Sequence, residues 1–225
     1  MIYADQQLLV LEKSAGLLCV PGRGADKQDC LSARVQRLYP DALVVHRLDM
    51  ATSGLCLMAR GTVMQTILGR AFAERQVQKR YVAVVQGRPV PDSANTDGWS
   101  EIDLPIAADW PRRPLRVIDH EHGKASRTRW RVVRATGNPN ASDQTRLELE
   151  PVTGRTHQLR VHLAAIGHPI LGDMLYAPPE VQQRSARLLL HASELQLDHP
   201  LTGQRLVFTS SAPFDRSELA PAVGL

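Results

Sequence analysis

Apolar residues recur along this chain in two rhythms, and each predicts a kind of element. Ile2-Tyr3 and Leu8, Val10 and Leu11, separated by Asp5-Gln6-Gln7, predict a short hairpin. Pro21-Gly22-Arg23-Gly24 punctuates a loop. Leu31, Val35 and Leu38 repeat at helical spacing, and that helix should stop before Pro40. Leu43-Val44-Val45 and Leu55–Met58 are apolar runs on either side of a short polar segment; the second reads as a strand. Met64, Ile67, Leu68 and Phe72 predict an amphipathic helix. Tyr81–Val85 is rich in β-formers and ends at Gly87-Arg88-Pro89. Residues 91–98 and 137–144 are polar and read as loops. Arg127–Val133 and Leu147–Leu149 alternate like half-buried strands. Thr156 is placed to cap a helix carrying Leu159, Leu163 and Ile166, closed by Gly167 and Pro169. Leu188–Leu190, Leu195–Leu197 and Leu206–Phe208 make the last third rich in strands.

The sum is an α+β pattern with many antiparallel candidates. No repeat, low-complexity tract or interdomain linker interrupts it. A length of 225 residues suits one large domain or two small ones, and 43% hydrophobic residues support a buried core. The tail after Phe214 is expected to be disordered.

Charge and composition narrow the classes. Net charge is +4, modest for a nucleic-acid binder, but lysine occurs only at 13, 27, 79 and 124, so the cations are mostly arginine. Arginine offers a planar fork suited to phosphate and to stacking; a codon bias toward arginine explains the same composition. Aromatics are only 4%, so stacking on bases would rest on a few rings and on guanidinium planes. Cys19, Cys30 and Cys56 form no C-x-x-C pair, which argues against a zinc ribbon or redox motif and fits a reducing compartment. Met1–Glu12 lacks the basic start of a signal peptide, and no apolar run approaches the ~20 residues that span a bilayer. A cytoplasmic protein with no membrane association is expected.

The candidate chemistry sits in His46-Arg47-Leu48-Asp49-Met50-Ala51-Thr52-Ser53-Gly54. One carboxylate stands between two apolar runs, beside Arg47, Thr52, Ser53 and Gly54. Asp, Ser and Gly are also ordinary turn residues, so on these residues alone Asp49 is either a turn former or a site.

The stretch resembles the signature of the RluA-type RNA pseudouridine synthases. Lys13-Ser14-Ala15-Gly16-Leu17 is similar to the family's early segment, with Ser14 where proline is usual. Lys79-Arg80-Tyr81 is similar to its Lys-x-Tyr. Gly154–His162 and Gly167–Asp173 are similar to its late motifs, in the family's order. The resemblance implies a catalytic domain over residues 1–214, a large bent mixed sheet with flanking helices, and an RNA-binding cleft across its centre. Many relatives carry a small RNA-binding domain before the first hairpin; here the hairpin begins at Ile2, so that module is expected to be absent.

The same resemblance assigns the site. Asp49 would be the catalytic carboxylate, acting as nucleophile or base at the sugar. A carboxylate taken out of water keeps its charge only beside a cation, and by resemblance that cation is Arg160. A solvated helix face is the alternative for Arg160, an ordinary packed tyrosine for Tyr81. Tyr81 would lie against the target uracil, and Leu159 would close the pocket. The nucleotide must be flipped out of its stack, and Arg47 could fill the space left behind. His46, Thr52 and Arg155 would complete the pocket. Lys13, Lys79, Arg80, Arg113, Lys124 and Trp110 are candidate RNA contacts, each with an alternative as solvated charge or, for Trp110, as a buried loop anchor. Asp109–Pro114 and Gly123-Lys124 resemble segments of the compact branch whose members modify both large-subunit rRNA and the tRNA anticodon stem-loop. The expected partners are therefore rRNA and tRNA, with no cofactor, no metal and a monomeric state. A synthase restricted to one of these RNAs, or a catalytically silent RNA-binding protein, are the alternatives. His157 and His162 are five apart and do not share a helix face as a metal pair would. No Gly-x-Ser-x-Gly elbow accompanies Asp49 and His46.

Overall fold

The first alternation does close into a hairpin, and its turn is built by one side chain. Asp5 Oδ1 accepts the backbone N–H groups of Gln7 and Leu8 at 2.7 and 2.8 Å, joining β1 (Tyr3–Ala4) to β2 (Leu8–Lys13). The structure is a computed structural model that describes residues 1–92, 97–133 and 143–215. The rest of the expected loops at 91–98 and 137–144, and the expected tail beyond Asp215, lie outside those residues.

After β2 come helix α1 (Leu31–Gln36), strands β3 (Ala42–Val44) and β4 (Ser53–Arg60), helix α2 (Gly61–Ala73) and strand β5 (Gln78–Gln86). β6 (Ser100–Asp103), β7 (Ile106–Ala108), β8 (Arg116–Ile118), β9 (Arg127–Val132) and β10 (Gln144–Pro151) follow. Helices α3 (Gln158–Ala165) and α4 (Pro179–Gln182) precede β11 (Leu190–Asp198) and β12 (Arg205–Thr209). The described strands other than β7 and β8 form one mixed sheet in the order β1-β2-β4-β11-β5-β10-β9-β6, with β3 on β4 and β12 on β11. β7 and β8 pair as a separate hairpin. Among the described strands the one parallel pair is β4 with β11, through His191↔Ser53 and Ala192↔Gly54.

Alternation decides which face each strand side chain covers. Leu8, Val10, Leu55 and Leu57 pack with Leu68 of α2 in one cluster. Leu9, Leu11, Cys56 and Met58 pack with Leu31 and Val35 of α1 in a second. Ala83, Val85, Leu147 and Leu149 pack with Leu159 and Leu163 of α3 in a third. Each fully buried leucine contributes about 1.5–3 kcal/mol relative to exposure. Tyr81 touches both the second and the third cluster, so it stands where the two meet.

Four sequence expectations change. Leu188–Leu190 and Leu195–Leu197 are not two strands: one strand, β11, starts at Leu190, the last residue of the first run, and carries through Leu195–Leu197, with a bulge between Ala192 and Glu194. Leu38 falls beyond α1 and is exposed, because the helix ends a turn early. Gln144, expected in a loop, opens β10. Thr156 does not cap α3. The residue before the helix is His157, in the left-handed region at φ 57°, with no side-chain cap. The entry to α3 is instead held by Gln158, whose Oε1 accepts from Arg155 N at 3.0 Å and from Thr153 Oγ1 at 2.6 Å.

Candidate active site

The Asp49 segment is pinned on alternate residues. His46 Nε2 accepts the Leu57 N–H of β4 at 2.9 Å, and the ring stacks on Phe72 at 4.4 Å. The Leu48 N–H reaches Cys19 Sγ at 3.2 Å. The Met50 carbonyl accepts from Gly16 N at 2.9 Å and from Lys13 Nζ at 3.0 Å. Between these anchors Arg47 and Asp49 line a cleft of about 1570 Å³, which also has Thr52, Lys79, Tyr81, Arg155, Leu159 and Arg160 in its walls. That volume exceeds the ~300–1,000 Å³ of ordinary small-molecule pockets.

His46 is therefore a neutral acceptor. Burial, aided by the Lys79 ammonium, pushes its pKa down to about 3. Lys13, expected at a phosphate, is instead structural. It is buried, and its three ammonium N–H groups go to the carbonyls of Ser14, Leu17 and Met50 at 2.8, 2.8 and 3.0 Å. An ammonium has three donors, so none remains for RNA. Arg80 is also displaced from its expected role. It follows Lys79 and precedes Tyr81 on β5, so it points to the other face, where it pairs with Glu148 at 3.3 Å and Glu194 at 3.7 Å.

Arg160 is not on a solvated face: it is only 4% exposed. Its Nη1 lies 3.4 Å from Asp49 Oδ2. Its Nε and Nη2 grip both oxygens of Asp173 at 2.8 and 2.6 Å, a bidentate pair that fixes the guanidinium plane. Asp173 Oδ1 also accepts the Leu175 and Tyr176 N–H groups at 2.9 and 3.2 Å. The Asp49 carboxylate stays one-quarter exposed and open to the cleft. Burial, with the Asp49 charge beside it, raises the Tyr81 phenol above its ordinary range, so the ring stands neutral. Lys79 faces the cleft next to Phe72, and burial lowers its pKa.

The remaining candidates divide. Leu159 is buried in the cleft wall beside Arg160. Arg155 is exposed at the wall and donates to the Ala125 carbonyl at 3.3 Å. Trp110 is no buried anchor: it is 67% exposed, with the Arg113 guanidinium 3.8 Å from its ring centroid. Both belong to the β7–β8 connection, which reaches the cleft through Pro114. Lys124 is exposed outside the cleft. The three histidines of the late motifs point to three places. His157 faces Asp49, His162 bonds Thr128 and the Leu104 carbonyl, and His168 donates to the Gln86 carbonyl.

Asp173, Tyr176, His157 and Arg187 were not among the sequence-derived site residues. Asp173 closes the late Gly167–Asp173 motif, which was the available signal. Arg187 lines the cleft and donates to Ser53 Oγ at 2.5 Å, and nothing in its surrounding sequence marked it.

A family model described as RNA pseudouridylate synthase matches residues 7–165. The chain belongs to the RNA pseudouridylate synthase family. It is 44% identical over 214 residues to the dual-specificity RNA pseudouridine synthase RluA of Escherichia coli K12, covering 95% of this chain and 93% of that protein. The Yersinia pestis protein of the same name is 42% identical, with 95% and 99% covered. The human RNA pseudouridylate synthase domain containing 1 superposes with a TM-score of 0.74 at 28% identity, over 95% of this chain and 83% of that one. The chain is thus an isomerase that converts uridine in RNA to pseudouridine on the mixed-sheet fold of this family. No helix among the described residues of this synthase is long and apolar enough to cross a membrane.

Proposed function

We propose that this synthase modifies uridines in both an rRNA hairpin and the tRNA anticodon stem-loop, with Asp49 as its catalytic carboxylate. The observation that carries the site assignment is the chain Asp49–Arg160–Asp173. It sets a cleft-facing carboxylate beside a cation that a fully buried partner holds still. The RluA relatives named dual-specificity, similar along nearly the whole chain, support the choice of RNAs.

The reaction breaks the N1–C1′ bond, turns the uracil and joins C5 to C1′. The C5 proton leaves and N1 gains one, so substrate and product are isomers and no net oxidation occurs. Asp49 acts at the sugar, as nucleophile on C1′ or as base beside it. Arg160 sets a fixed positive charge beside that carboxylate. Tyr81, neutral and at the seam between two core clusters, offers a face for the detached uracil. Leu159 closes the opposite side and limits escape. Arg47 at the rim fills the gap left by the flipped nucleotide. Lys79, Arg155 and the Trp110–Arg113 stack contact phosphates and neighbouring bases.

Tritium release from C5-labelled, unmodified transcripts of the two hairpins tests this reading. The wild type should work on both, and Asp49→Asn on neither while still binding RNA. Asp49→Asn activity within tenfold of wild type removes Asp49 from the chemistry. Turnover of one hairpin alone restricts the substrate range and leaves the isomerase intact.

A further inference from the structure

His157 occupies backbone that a non-glycine residue seldom adopts. It stands at φ 57°, and Arg75 is the other described non-glycine residue at positive φ. Left-handed backbone is strained for a residue with a Cβ, and such outliers are often where function is placed. The conformation turns the imidazole back into the cleft, where its side chain is 11% exposed. Two contacts set its orientation. Nδ1 lies 2.6 Å from the Tyr176 hydroxyl, and Nε2 lies 3.9 Å from Asp49 Oδ1.

The contacts of Tyr176 match one tautomer of His157. The Tyr176 hydroxyl oxygen accepts the Arg116 N–H at 3.0 Å, so the hydroxyl proton is available for His157 Nδ1. With Nδ1 accepting, the ring proton sits on Nε2, the nitrogen that faces Asp49. The Tyr176 ring is itself fixed, with the Arg160 guanidinium 5.1 Å from its centroid and its backbone N–H on Asp173. The two oxygens of Asp49 are therefore addressed separately, Oδ2 by Arg160 and Oδ1 by His157.

We infer that His157 is a positioning residue for the isomerisation: its Nε2–H, held in that tautomer by Tyr176, orients the Asp49 carboxylate by closing onto Oδ1 when RNA fills the cleft. The inference rests on Asp49 being the catalytic carboxylate. The 3.9 Å gap is that of a contact that tightens in the substrate complex. Burial and the Arg160 and Arg116 charges hold the imidazole neutral, against the pull of Asp49 and Asp173. The groups facing Asp49 are Arg160 and His157 at the start of α3, Tyr81 from β5, Tyr176 from the segment after α3, and Lys13 from β2. Among the described basic side chains, Arg160 and His157 alone approach its oxygens within 4 Å.

The test is the pH dependence of kcat/KM on the anticodon hairpin between pH 4 and 9. His157→Asn tolerates left-handed backbone and keeps a polar atom near Nδ1 for Tyr176, but it is too short to reach Asp49. His157→Gln restores a donor near Nε2. Losing a donor to the ionised form makes the carboxylate protonate more readily. The acidic limb of His157→Asn should move up by about one pH unit, a loss of about tenfold on the acid side that shrinks to under about threefold on the plateau. KM should hold, and His157→Gln should bring the limb back toward wild type. A His157→Asn profile parallel to wild type, with a uniform loss or none, overturns the inference.

Thermal unfolding checks that the variants fold. Should His157→Asn fail to fold, Tyr176→Phe probes the same link, since it keeps the ring against Arg160 and removes the hydroxyl that sets the tautomer. A shift of its limb in the same direction supports the inference, and superposition on wild type overturns it. Asp49→Asn runs beside them. If it is active, both this inference and the assignment of Asp49 fall; if it is inactive while His157→Asn runs parallel, this one falls alone.

Discussion

Arg160 serves two carboxylates with different needs. Toward Asp49 it offers one N–H at 3.4 Å, while Asp173, 1% exposed, takes two shorter ones. Replacing Arg160 by Met strands the Asp173 charge in the interior, and breaking a buried pair in this way costs about 3–5 kcal/mol. Arg160→Met should therefore be inactive and also markedly less stable. Neutralising the stranded partner in the double variant Arg160→Met/Asp173→Asn should return part of the stability and none of the turnover. Urea unfolding and tritium release on the same preparations separate the two effects. Equal stability of the single variant and wild type would mean that the Arg160–Asp173 pair contributes nothing to the fold.

Among the described strands and helices, β4 holds the glycine with the tightest steric demand. Gly54 lies at φ 113° opposite Ala192, and a Cβ there would sit 2.3 Å from the Ala192 carbonyl oxygen. Overpacking costs about 1–3 kcal/mol, and backbone strain adds to it. Gly54→Ala should lose about 2–4 kcal/mol, seen as a lowered Tm, with activity falling in proportion to the folded fraction. The glycine was visible in the motif, but its reason lay 138 residues away in β11, which no local pattern reveals. Alternation and helical spacing made β2, β4, β5, β9, β10, α1, α2 and α3 legible, because each buries a regular stripe. β6, β7 and β8 were missed: they are short, and Leu104-Pro105 and the Pro-Arg-Arg-Pro turn read as breakers. The candidate site was legible only through the family resemblance, and the structure brings Asp49, Tyr81 and Arg160 to one cleft. Lys13 and Arg80 were misread because a charge in a sequence carries no record of which carbonyls or carboxylates will meet it.

For the molecule as a whole, a net charge of +4 is too small to hold RNA by general attraction, so local cations must do so. Arg47, exposed at the rim, and Lys79, in the wall, both line the cleft, and under the proposed function they meet phosphates. Replacing either by Ala should reduce the slope of log affinity against log salt by about 1. Lys13→Gln should leave that slope alone and lower Tm instead. A salt titration of hairpin binding checks both, and a changed slope for Lys13→Gln would return that residue to the RNA interface. The parallel seam of β4 and β11 also has a history in time. Chains are made from the amino end, and pairings distant in sequence form late. Asp49 and Tyr81 leave the ribosome early, but β11 must slide between their strands before they can face one cleft. A nascent chain that has not yet reached Leu190 holds the acid, the phenol and the arginine and still has no place to put a uridine, so the synthase can touch RNA productively only after β11 has been made.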